Sequence, residues 1–149
     1  MRYVLGVDLG TGSAKAVLLD GEGVQIGRGT AEYPLHKPHP GWVEQDGEDW
    51  WRALGAAARQ ALGDRDPGQV ACVGLSGQLN GAVFVDSAGQ PLRAVPIWLD
   101  HRSQKECEWA EQKAGDLLKE RPWSRLRPVN TLATSAPHRP GSRADDVSE

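Results

Sequence analysis

The hydrophobic positions in residues 3–33 form three short runs, each with the length and composition of a β-strand. Tyr3–Val7 is an apolar run that ends at Asp8, and Ala14–Leu19 and Val24–Tyr33 follow it. Between the second and third runs the chain reads Asp-Gly-Glu-Gly, and the glycines of such a turn permit a positive φ. The pattern therefore predicts an antiparallel meander of three strands.

The meander is followed by a loop and then by a helix. Pro34–Pro40 contains three prolines, which remove backbone donors and prevent regular strand pairing. Asp46 is a good N-cap, and Gly63 is placed to end the helix. Between them the apolar side chains recur at the spacing of one helix face, at Trp50, Leu54, Ala57, Ala58, Ala61 and Leu62.

Further strand regions and a second helix complete the pattern. Val70–Leu75 predicts a buried strand, and Ala82–Val85 with Leu92–Trp98 predicts a hairpin. A helix rich in Glu and Lys is expected from Arg102 to about Leu118. The order βββ-α-β-ββ-α predicts an α/β domain over residues 1–118, with a mixed sheet and flanking helices.

The pattern stops after Leu118. Lys119–Arg143 holds six basic residues and one acidic residue, with repeated Pro and Ser and no amphipathic period. Such a composition does not bury enough apolar surface to offset the entropy of ordering the chain. We therefore expect residues 119–149 to form a disordered tail. The abrupt change suggests the hypothesis that the domain is truncated and that the tail is the out-of-frame product of a GC-rich gene.

Composition and charge exclude several classes of protein. Of the 149 residues, 39% are hydrophobic and 25% are charged, as in globular proteins. The net charge of −3 gives no attraction to nucleic acids or anionic membranes. No apolar run reaches the roughly 18 residues of a membrane helix, and the N-terminus lacks an export pattern. Two cysteines form neither a disulfide framework nor a zinc spacing. We expect a cytoplasmic protein without nucleic-acid or membrane partners.

The densest group of candidate functional residues lies where the first strand turns back into the second. A carboxylate ends the first strand, a turn with two glycines and two hydroxyls follows, and a lysine lies on the second strand. Glycines let backbone N–H groups approach an anion, a carboxylate can hold hydrated Mg²⁺, and a lysine adds a point charge for a phosphate. The alternative is an ordinary hairpin turn, and the P-loop pattern is absent. The candidate residues for binding phosphate and Mg²⁺ are Asp8, Gly10, Thr11, Gly12, Ser13 and Lys15.

Three sequence blocks carry a resemblance to a known family. They are Gly6-Val7-Asp8-Leu9-Gly10-Thr11, then Pro40-Gly41-Trp42-Val43-Glu44-Gln45-Asp46 with Trp50, then Gly74-Leu75-Ser76-Gly77-Gln78 with Ile97-Trp98-Leu99-Asp100-His101-Arg102. Through these blocks, residues 1–113 resemble the FGGY carbohydrate kinases, and within them most closely the xylulokinases. The family is a branch of the superfamily of actin, hexokinase and the heat-shock chaperone ATPases. The resemblance therefore implies an RNase-H-like fold of the actin/hexokinase ATPase type.

The resemblance also implies ATP and Mg²⁺ as cofactors and assigns roles to residues. Asp8 is implied to organise Mg²⁺ through water, Gly10–Ser13 to face the nucleotide phosphates, and Lys15 to lie near the transferred phosphate. The residues implied to bind a sugar or polyol are Gln78, Leu79, Asn80, Trp98, Asp100 and Arg102. Amide and carboxylate groups suit sugar hydroxyls, and an indole suits an apolar wall. The structural alternatives are a core position for Trp98 and a solvated ion pair for Asp100 and Arg102.

The chain also departs from the family pattern and lacks part of it. Xylulokinases usually have Met-His where this chain has Leu79-Asn80, so another ketose or polyol stays open as substrate. The family's catalytic aspartate and adenosine pocket come from sequence beyond this chain. We therefore expect no catalytic base here, no turnover by the chain alone, a missing C-terminal kinase domain as partner, and self-association through an uncovered face. The alternatives are a non-catalytic sugar- or phosphate-binding module and another actin-like ATPase.

Overall fold

The computed structural model describes residues 2–119, and these contain a four-stranded mixed sheet, a two-stranded sheet and two α-helices. In chain order the elements are β1 (Tyr3–Leu9), β2 (Ser13–Leu19), β3 (Gln25–Glu32), β4 (Glu44–Gln45), α1 (Gly47–Leu62), a short 3₁₀ helix (Pro67–Gln69), β5 (Val70–Gly77), β6 (Val95–Pro96) and α2 (Gln104–Lys119). The larger sheet has the order β3-β2-β1-β5. Its first three strands pair antiparallel, and β5 pairs parallel with β1.

Strands β1, β2 and β3 form the predicted meander. The turn between β2 and β3 is held by the Asp20 carboxylate, whose Oδ1 accepts hydrogen bonds from the N–H groups of Glu22 and Val24 at 3.0 and 2.9 Å. Gly23 in this turn has a φ of +81°, which glycine adopts without strain. Alternate side chains of the first two strands are buried on one face of the sheet: Leu5, Val7, Ala14, Ala16 and Leu18.

Helix α1 has the ends that the sequence predicts. The Asp46 side chain accepts a hydrogen bond from the Glu48 N–H at 2.9 Å, and acidic residues occupy the first turn, where the helix dipole favours them. Gly63 ends the helix with a φ of +56°. Local capping signals therefore position this helix before its packing is considered.

The fully buried residues of α1 are alanines, and the residues of β3 that lie closest to the helix are glycines. Ala57 and Ala61 are buried, and they lie over Gly27 and Gly29 of β3. A Cβ atom built on Gly29 would lie 2.0 Å from the carbonyl oxygen of Ala57, and one built on Gly27 would lie 2.0 Å from that of Ala61. The helix backbone thus contacts the strand backbone directly, and only glycine fits at these positions.

Strand β5 exists, but the prediction that it is buried is wrong. Val73 and Leu75 share a sheet face with Leu5 and Val7 of β1, yet they are 59% and 71% exposed. Helix α1 lies over β3, β2 and part of β1, and its cover ends before β5. Cys72 on the same strand is also exposed. The apolar pattern correctly indicates a strand, but burial requires a covering element, and within residues 2–119 none lies over this strand.

The predicted hairpin of residues 82–98 is present only as a turn, and this prediction is also wrong in part. Val85 and Pro91 form a single antiparallel bridge, and Asp86 holds the turn by accepting from two backbone N–H groups. Val95–Pro96 pairs instead with Glu44–Gln45 of β4. Pro96 lies in the second arm and Pro91 directly precedes it; because proline has no N–H to donate, a regular hairpin ladder cannot continue along this arm.

Helix α2 spans Gln104–Lys119, close to the prediction of Arg102 to about Leu118. Neither α1 nor α2, the helices in the described part of the chain, has the length and apolar character that crossing a membrane requires. The predicted disordered tail, apart from the last residue of α2, lies outside the described residues.

Candidate functional site

Asp8 lies at the carboxyl end of β1 between two neighbouring strands. Its register partner on β2 is Lys15, and its partner on the parallel strand β5 is Ser76. Residues paired across strands share a face, so these three side chains lie on the side of the sheet opposite to α1. Asp8 is partly buried and Lys15 is exposed. A carboxylate, a cation and a hydroxyl therefore meet beside the turn that follows β1.

That turn, Gly10–Ser13, is anchored to the protein through its carbonyl groups. The Tyr33 hydroxyl donates to the Gly10 carbonyl, and the Tyr33 N–H donates to the Gly12 carbonyl at 3.2 Å. Between them, Nε2 of Gln45 donates to the Thr11 carbonyl at 2.7 Å. Burial, and then the negative charge of Asp8, raise the pKa of Tyr33 above its usual value, so the hydroxyl stays a donor.

The anchored carbonyls decide where the N–H groups of the turn point. In a planar trans peptide the C=O and the following N–H point in opposite directions. Anchoring the carbonyls of Gly10 and Thr11 therefore turns the N–H groups of Thr11 and Gly12 away from Tyr33 and Gln45. A Cβ atom on Gly12 would meet nothing within 4 Å, so the space beside Gly12 is open. The N–H groups of Thr11 and Gly12 therefore lie on the side of the turn away from its anchors.

Gln45 is the buried polar residue that joins this turn to its surroundings. Its side chain is 0% exposed, and its Oε1 accepts from the Trp50 indole N–H at 3.1 Å and from Nε2 of Gln78 at 2.7 Å. Sequence reasoning included Gln45 in a family block but gave it no role. The available signal was its position two residues after Val43, which is also buried, at the inward side of a short strand.

The turn after β5 brings the first predicted substrate residues to the same edge of the sheet. The Gln78 N–H donates to the Leu9 carbonyl at 2.7 Å, which fixes this turn beside the end of β1. The Oε1 atom of Gln78 is buried and has no hydrogen-bond partner among the described residues. Leu79 is 76% exposed, and Asn80 is exposed with a φ of +64°, a conformation that asparagine tolerates better than most residues.

Trp98 joins the phosphate-loop candidates to the predicted substrate residues. Its indole Nε1 donates to Oγ1 of Thr11 at 2.9 Å. The side chain is 43% exposed, which excludes the alternative of a plain core position. One edge of the indole is thus held by the Gly10–Ser13 turn, while part of its ring surface is open to solvent.

Asp100 and Arg102 lie together in a hydrogen-bonded ion pair. The Asp100 carboxylate is 0% exposed and accepts from the Val43 N–H at 2.7 Å and from Nε and Nη2 of Arg102 at 2.8 and 2.7 Å. Nη2 of Arg102 also donates to Glu44 at 2.6 Å, and the guanidinium lies 3.8 Å from the ring centroid of Trp42. The alternative of a solvated ion pair is therefore excluded. Glu44 and Trp42, to which sequence reasoning gave no role, complete the cluster.

The charges of this cluster stabilise each other. Burial works to raise the pKa of Asp100, but the hydrogen bonds from the Arg102 side chain and from the N–H groups of Val43 and Arg102 outweigh it, so the pKa lies below its ordinary value. Burial likewise works to lower the pKa of Arg102, and its bonds to Asp100 and Glu44 raise it instead. Both side chains remain charged at neutral pH.

Comparison with known proteins identifies the family that shares this arrangement. The sequence model of the FGGY family of carbohydrate kinases, N-terminal domain, matches residues 3–134. The chain belongs to this family. The match runs past Leu118 into the segment that sequence analysis separated as a tail, which lies outside the described residues.

Relatives within the FGGY family carry two different names. The chain is 40% identical over 110 residues to a xylulose kinase of Klebsiella pneumoniae, covering 73% of this chain and 23% of that protein. It is 38% identical over 120 residues to a glycerol kinase of Thermococcus gammatolerans, covering 79% of this chain and 24% of that protein. The chain thus spans about a quarter of the length of these relatives.

Solved FGGY kinases share the fold. A xyloylose kinase of Brucella ovis matches with a TM-score of 0.75 and 33% identity, covering 89% of this chain and 28% of that one. A ligand-bound xylulose kinase of Lactobacillus acidophilus matches with a TM-score of 0.71 and 24% identity, covering 76% of this chain and 23% of that one. The fold is therefore the RNase-H-like fold of the actin-type ATPases, as the resemblance implied.

Proposed function

We propose that this chain supplies the phosphate-binding loop and part of the substrate wall of an ATP-dependent carbohydrate kinase. The reaction is transfer of the ATP γ-phosphate to a hydroxyl of a ketose or polyol. The observation that carries the proposal is the orientation of the Gly10–Ser13 turn, in which Tyr33 and Gln45 anchor the carbonyls and the N–H groups face away. An ordinary hairpin turn does not need this anchoring.

ATP and Mg²⁺ fit the residues beside the turn. The Asp8 carboxylate would hold Mg²⁺ through water, and Lys15, its register partner, would place a positive charge toward the phosphates. No group of three or more His, Cys, Asp or Glu side chains among residues 2–119 could hold a metal ion, so phosphate oxygens and water would supply most ligands. When bound, Mg²⁺-ATP supplies the phosphoryl group and neutralises charge on its oxygens.

The substrate wall consists of the turn after β5 and the indole of Trp98. Exposed Asn80 offers an amide to sugar hydroxyls, and the open part of the Trp98 ring offers an apolar surface. Asp100 is fully buried in its ion pair with Arg102, so its carboxylate is engaged by the protein itself. Relatives named for xylulose and for glycerol support a ketose or a polyol as the substrate class. Asn80 in place of histidine keeps xylulose itself one candidate among several.

Phosphoryl transfer also needs a group that accepts the hydroxyl proton, and we infer that another part of the kinase provides it. Asp8, as the Mg²⁺-organising acid, does not fill that role, and Asp100 is buried in its ion pair. General acid–base catalysis typically contributes about 10²- to 10⁴-fold in rate. The C-terminal kinase domain is therefore the partner that we propose for this chain, and it would also supply the adenosine pocket.

Anion binding at the turn tests the proposal directly. In an ¹⁵N-labelled chain, tripolyphosphate with Mg²⁺ is expected to shift the amide resonances of Thr11 and Gly12, and Asp8→Asn is expected to weaken the binding. Asp64→Asn is the matched control, because Asp64 is exposed and lies outside this site. Amide resonances that do not respond to tripolyphosphate would contradict the assignment of this turn.

A further inference from the structure

Thr11 is held from two sides by segments that are distant in the sequence. Nε2 of Gln45 donates to its backbone carbonyl at 2.7 Å, and Nε1 of Trp98 donates to its hydroxyl oxygen at 2.9 Å. These donors lie 34 and 87 residues away along the chain. We call this pair of hydrogen bonds the Thr11 clamp. The clamp connects the phosphate turn to the predicted substrate wall.

The chemistry of the two indoles fixes every donor and acceptor in this network. An indole N–H can only donate, so Oγ1 of Thr11 must accept from Trp98, and the Thr11 hydroxyl proton is directed to another acceptor. In the same way, the Trp50 indole requires Oε1 of Gln45 to accept, which leaves Nε2 for the Thr11 carbonyl. Gln78 must then present its own Nε2 to Gln45. The orientation of each amide follows from the chain itself.

We propose that Trp98 is a positioning residue that couples the substrate wall to the phosphate turn through the Thr11 clamp. Trp98 holds the Thr11 hydroxyl so that its proton is presented to the anion bound at the turn. A polyol packed on the open part of the Trp98 ring restricts the indole to the position in which it makes this bond. Polyol and anion therefore strengthen each other's binding, and by linkage the effect is equal in both directions. This inference rests on the proposed function of the same site.

The first test examines the clamp without any ligand. The chain has six tryptophans, so an ¹H–¹⁵N spectrum contains six indole N–H signals, and the one lost in Trp98→Phe is that of Trp98. Thr11→Val is expected to move this signal upfield, because the hydrogen bond to the indole is lost. Thr11→Ser keeps a hydroxyl and is expected to leave the signal at its wild-type position. Thr30→Val, a change at an exposed position of β3, is the control and should not move it. A chemical shift of the Trp98 indole N–H that does not change in Thr11→Val would overturn the proposal.

The second test measures the coupling. The dissociation constant of Mg²⁺-tripolyphosphate is measured by titration with and without a saturating polyol, using xylulose and glycerol as the two probes. We expect the polyol to tighten anion binding about five-fold, at the low end of typical couplings. Trp98→Phe should reduce this ratio to about one while keeping an aromatic wall. Trp51→Phe, a change at a 74% exposed indole on α1, is the matched control and should keep the full ratio.

The outcomes separate this inference from the proposed function. If the wild-type chain binds neither Mg²⁺-tripolyphosphate nor a polyol, the proposed function fails and the coupling fails with it. If the chain binds the anion and a polyol but neither changes the dissociation constant of the other, the proposed function stands and the coupling is refuted. The coupling through Trp98 is refuted likewise if Trp98→Phe keeps the wild-type ratio. A ratio lost in Trp98→Phe and Thr11→Val but kept in Thr11→Ser and Trp51→Phe supports the proposal.

Discussion

Asp100 and Arg102 form a two-point ion pair, in which Nε and Nη2 of the guanidinium donate to the two oxygens of a fully buried carboxylate. The same carboxylate also accepts the Val43 N–H, so it ties the segment before α2 to the segment before β4. Because the Asp100 carboxylate is fully buried and most of the Arg102 side chain is covered, the Asp100 charge depends on Arg102 for compensation. The pair thus stabilises the cluster of Trp42, Val43 and Glu44 around it.

Replacing Asp100 should therefore cost far more stability than replacing an exposed aspartate. Removing one partner of a buried ion pair typically costs about 3–5 kcal/mol, because the remaining charge stays buried without compensation. We expect a loss of this size in the free energy of unfolding for Asp100→Ala, measured by urea denaturation. Asp64→Asn, at an exposed position, should change it by less than about 0.5 kcal/mol. Equal effects of the two changes would contradict the role of the pair.

The same pair predicts how stability depends on acid. The pKa of Asp100 in the folded chain lies below its ordinary value, so its contribution is fully present above that ordinary value. The contribution is lost as the pH falls through the folded-state pKa, where protonation removes the charge. As the pH is lowered below about 4, the free energy of unfolding of the wild-type chain should decrease more steeply than that of Asp100→Asn. Parallel urea denaturation curves for the two proteins from neutral to acidic pH measure this difference, and identical slopes would refute it.

The contact between α1 and β3 predicts a sharp effect of a single methyl group. A Cβ atom on Gly29 would lie 2.0 Å from a helix carbonyl, and backbone cannot move aside as a side chain can. Gly29→Ala should cost at least the roughly 1–3 kcal/mol typical of overpacking, measured by urea denaturation. Gly74→Ala on β5 is the matched control, because a Cβ atom there meets nothing within 4 Å. A Gly29→Ala chain as stable as Gly74→Ala would show that the helix does not lie this close.

Gln45 predicts a combined effect on stability and on anion binding. Gln45→Met keeps a side chain of similar length but leaves the Thr11 carbonyl, the Trp50 indole and the Gln78 amide without their partner. Each unsatisfied buried group costs about 1–3 kcal/mol. We expect lower stability by urea denaturation and weaker Mg²⁺-tripolyphosphate binding by titration. Gln60→Met on exposed α1 surface removes only a bond to the Thr30 N–H and should leave anion binding unchanged. Unaltered anion binding in Gln45→Met would mean that the turn keeps its shape without this anchor.

The purified chain alone should not turn over. With no general base among the residues assigned here, we expect no ADP production by this chain that depends on xylulose or glycerol. A coupled assay for ADP with each compound checks this, with a full-length xylulose kinase as positive control. Robust production of ADP that requires the sugar would show that the chain carries its own base.

Local signals in the sequence were sufficient for the elements that they themselves build. The Asp20 turn, the Asp46 cap and the Gly63 end each act within a few residues, so α1 could be predicted with its bounds and the strands of the meander to within two residues. The pairing of Glu44–Gln45 with Val95–Pro96 could not, because strands of two residues have no period and lie about fifty residues apart in the sequence. The exposure of β5 could not be predicted either, because burial depends on a covering element and not on the strand's own composition.

The residues of the candidate site likewise fall into those that the sequence could identify and those that only the fold could. Asp8, the Gly10–Ser13 turn and Trp98 could be found from motifs, since their chemistry is visible in the residue types. The roles of Gln45 and Tyr33 depend on contacts across the fold, and one glutamine or tyrosine in a sequence does not reveal which carbonyl it will anchor. Burial of Asp100 is likewise a property of the packed cluster.

Strand β5 has a practical consequence for work on this chain. Its outer edge pairs with no strand within residues 2–119, and its exposed Val73 and Leu75 add apolar surface to open backbone groups. An edge of this kind is a template for pairing with another strand. Two copies of the chain are therefore expected to associate through β5, which makes measured stability depend on protein concentration by mass action. Unfolding and binding measurements on this chain belong at one fixed, low concentration, and lysines in place of Val73 and Leu75 should remove that dependence.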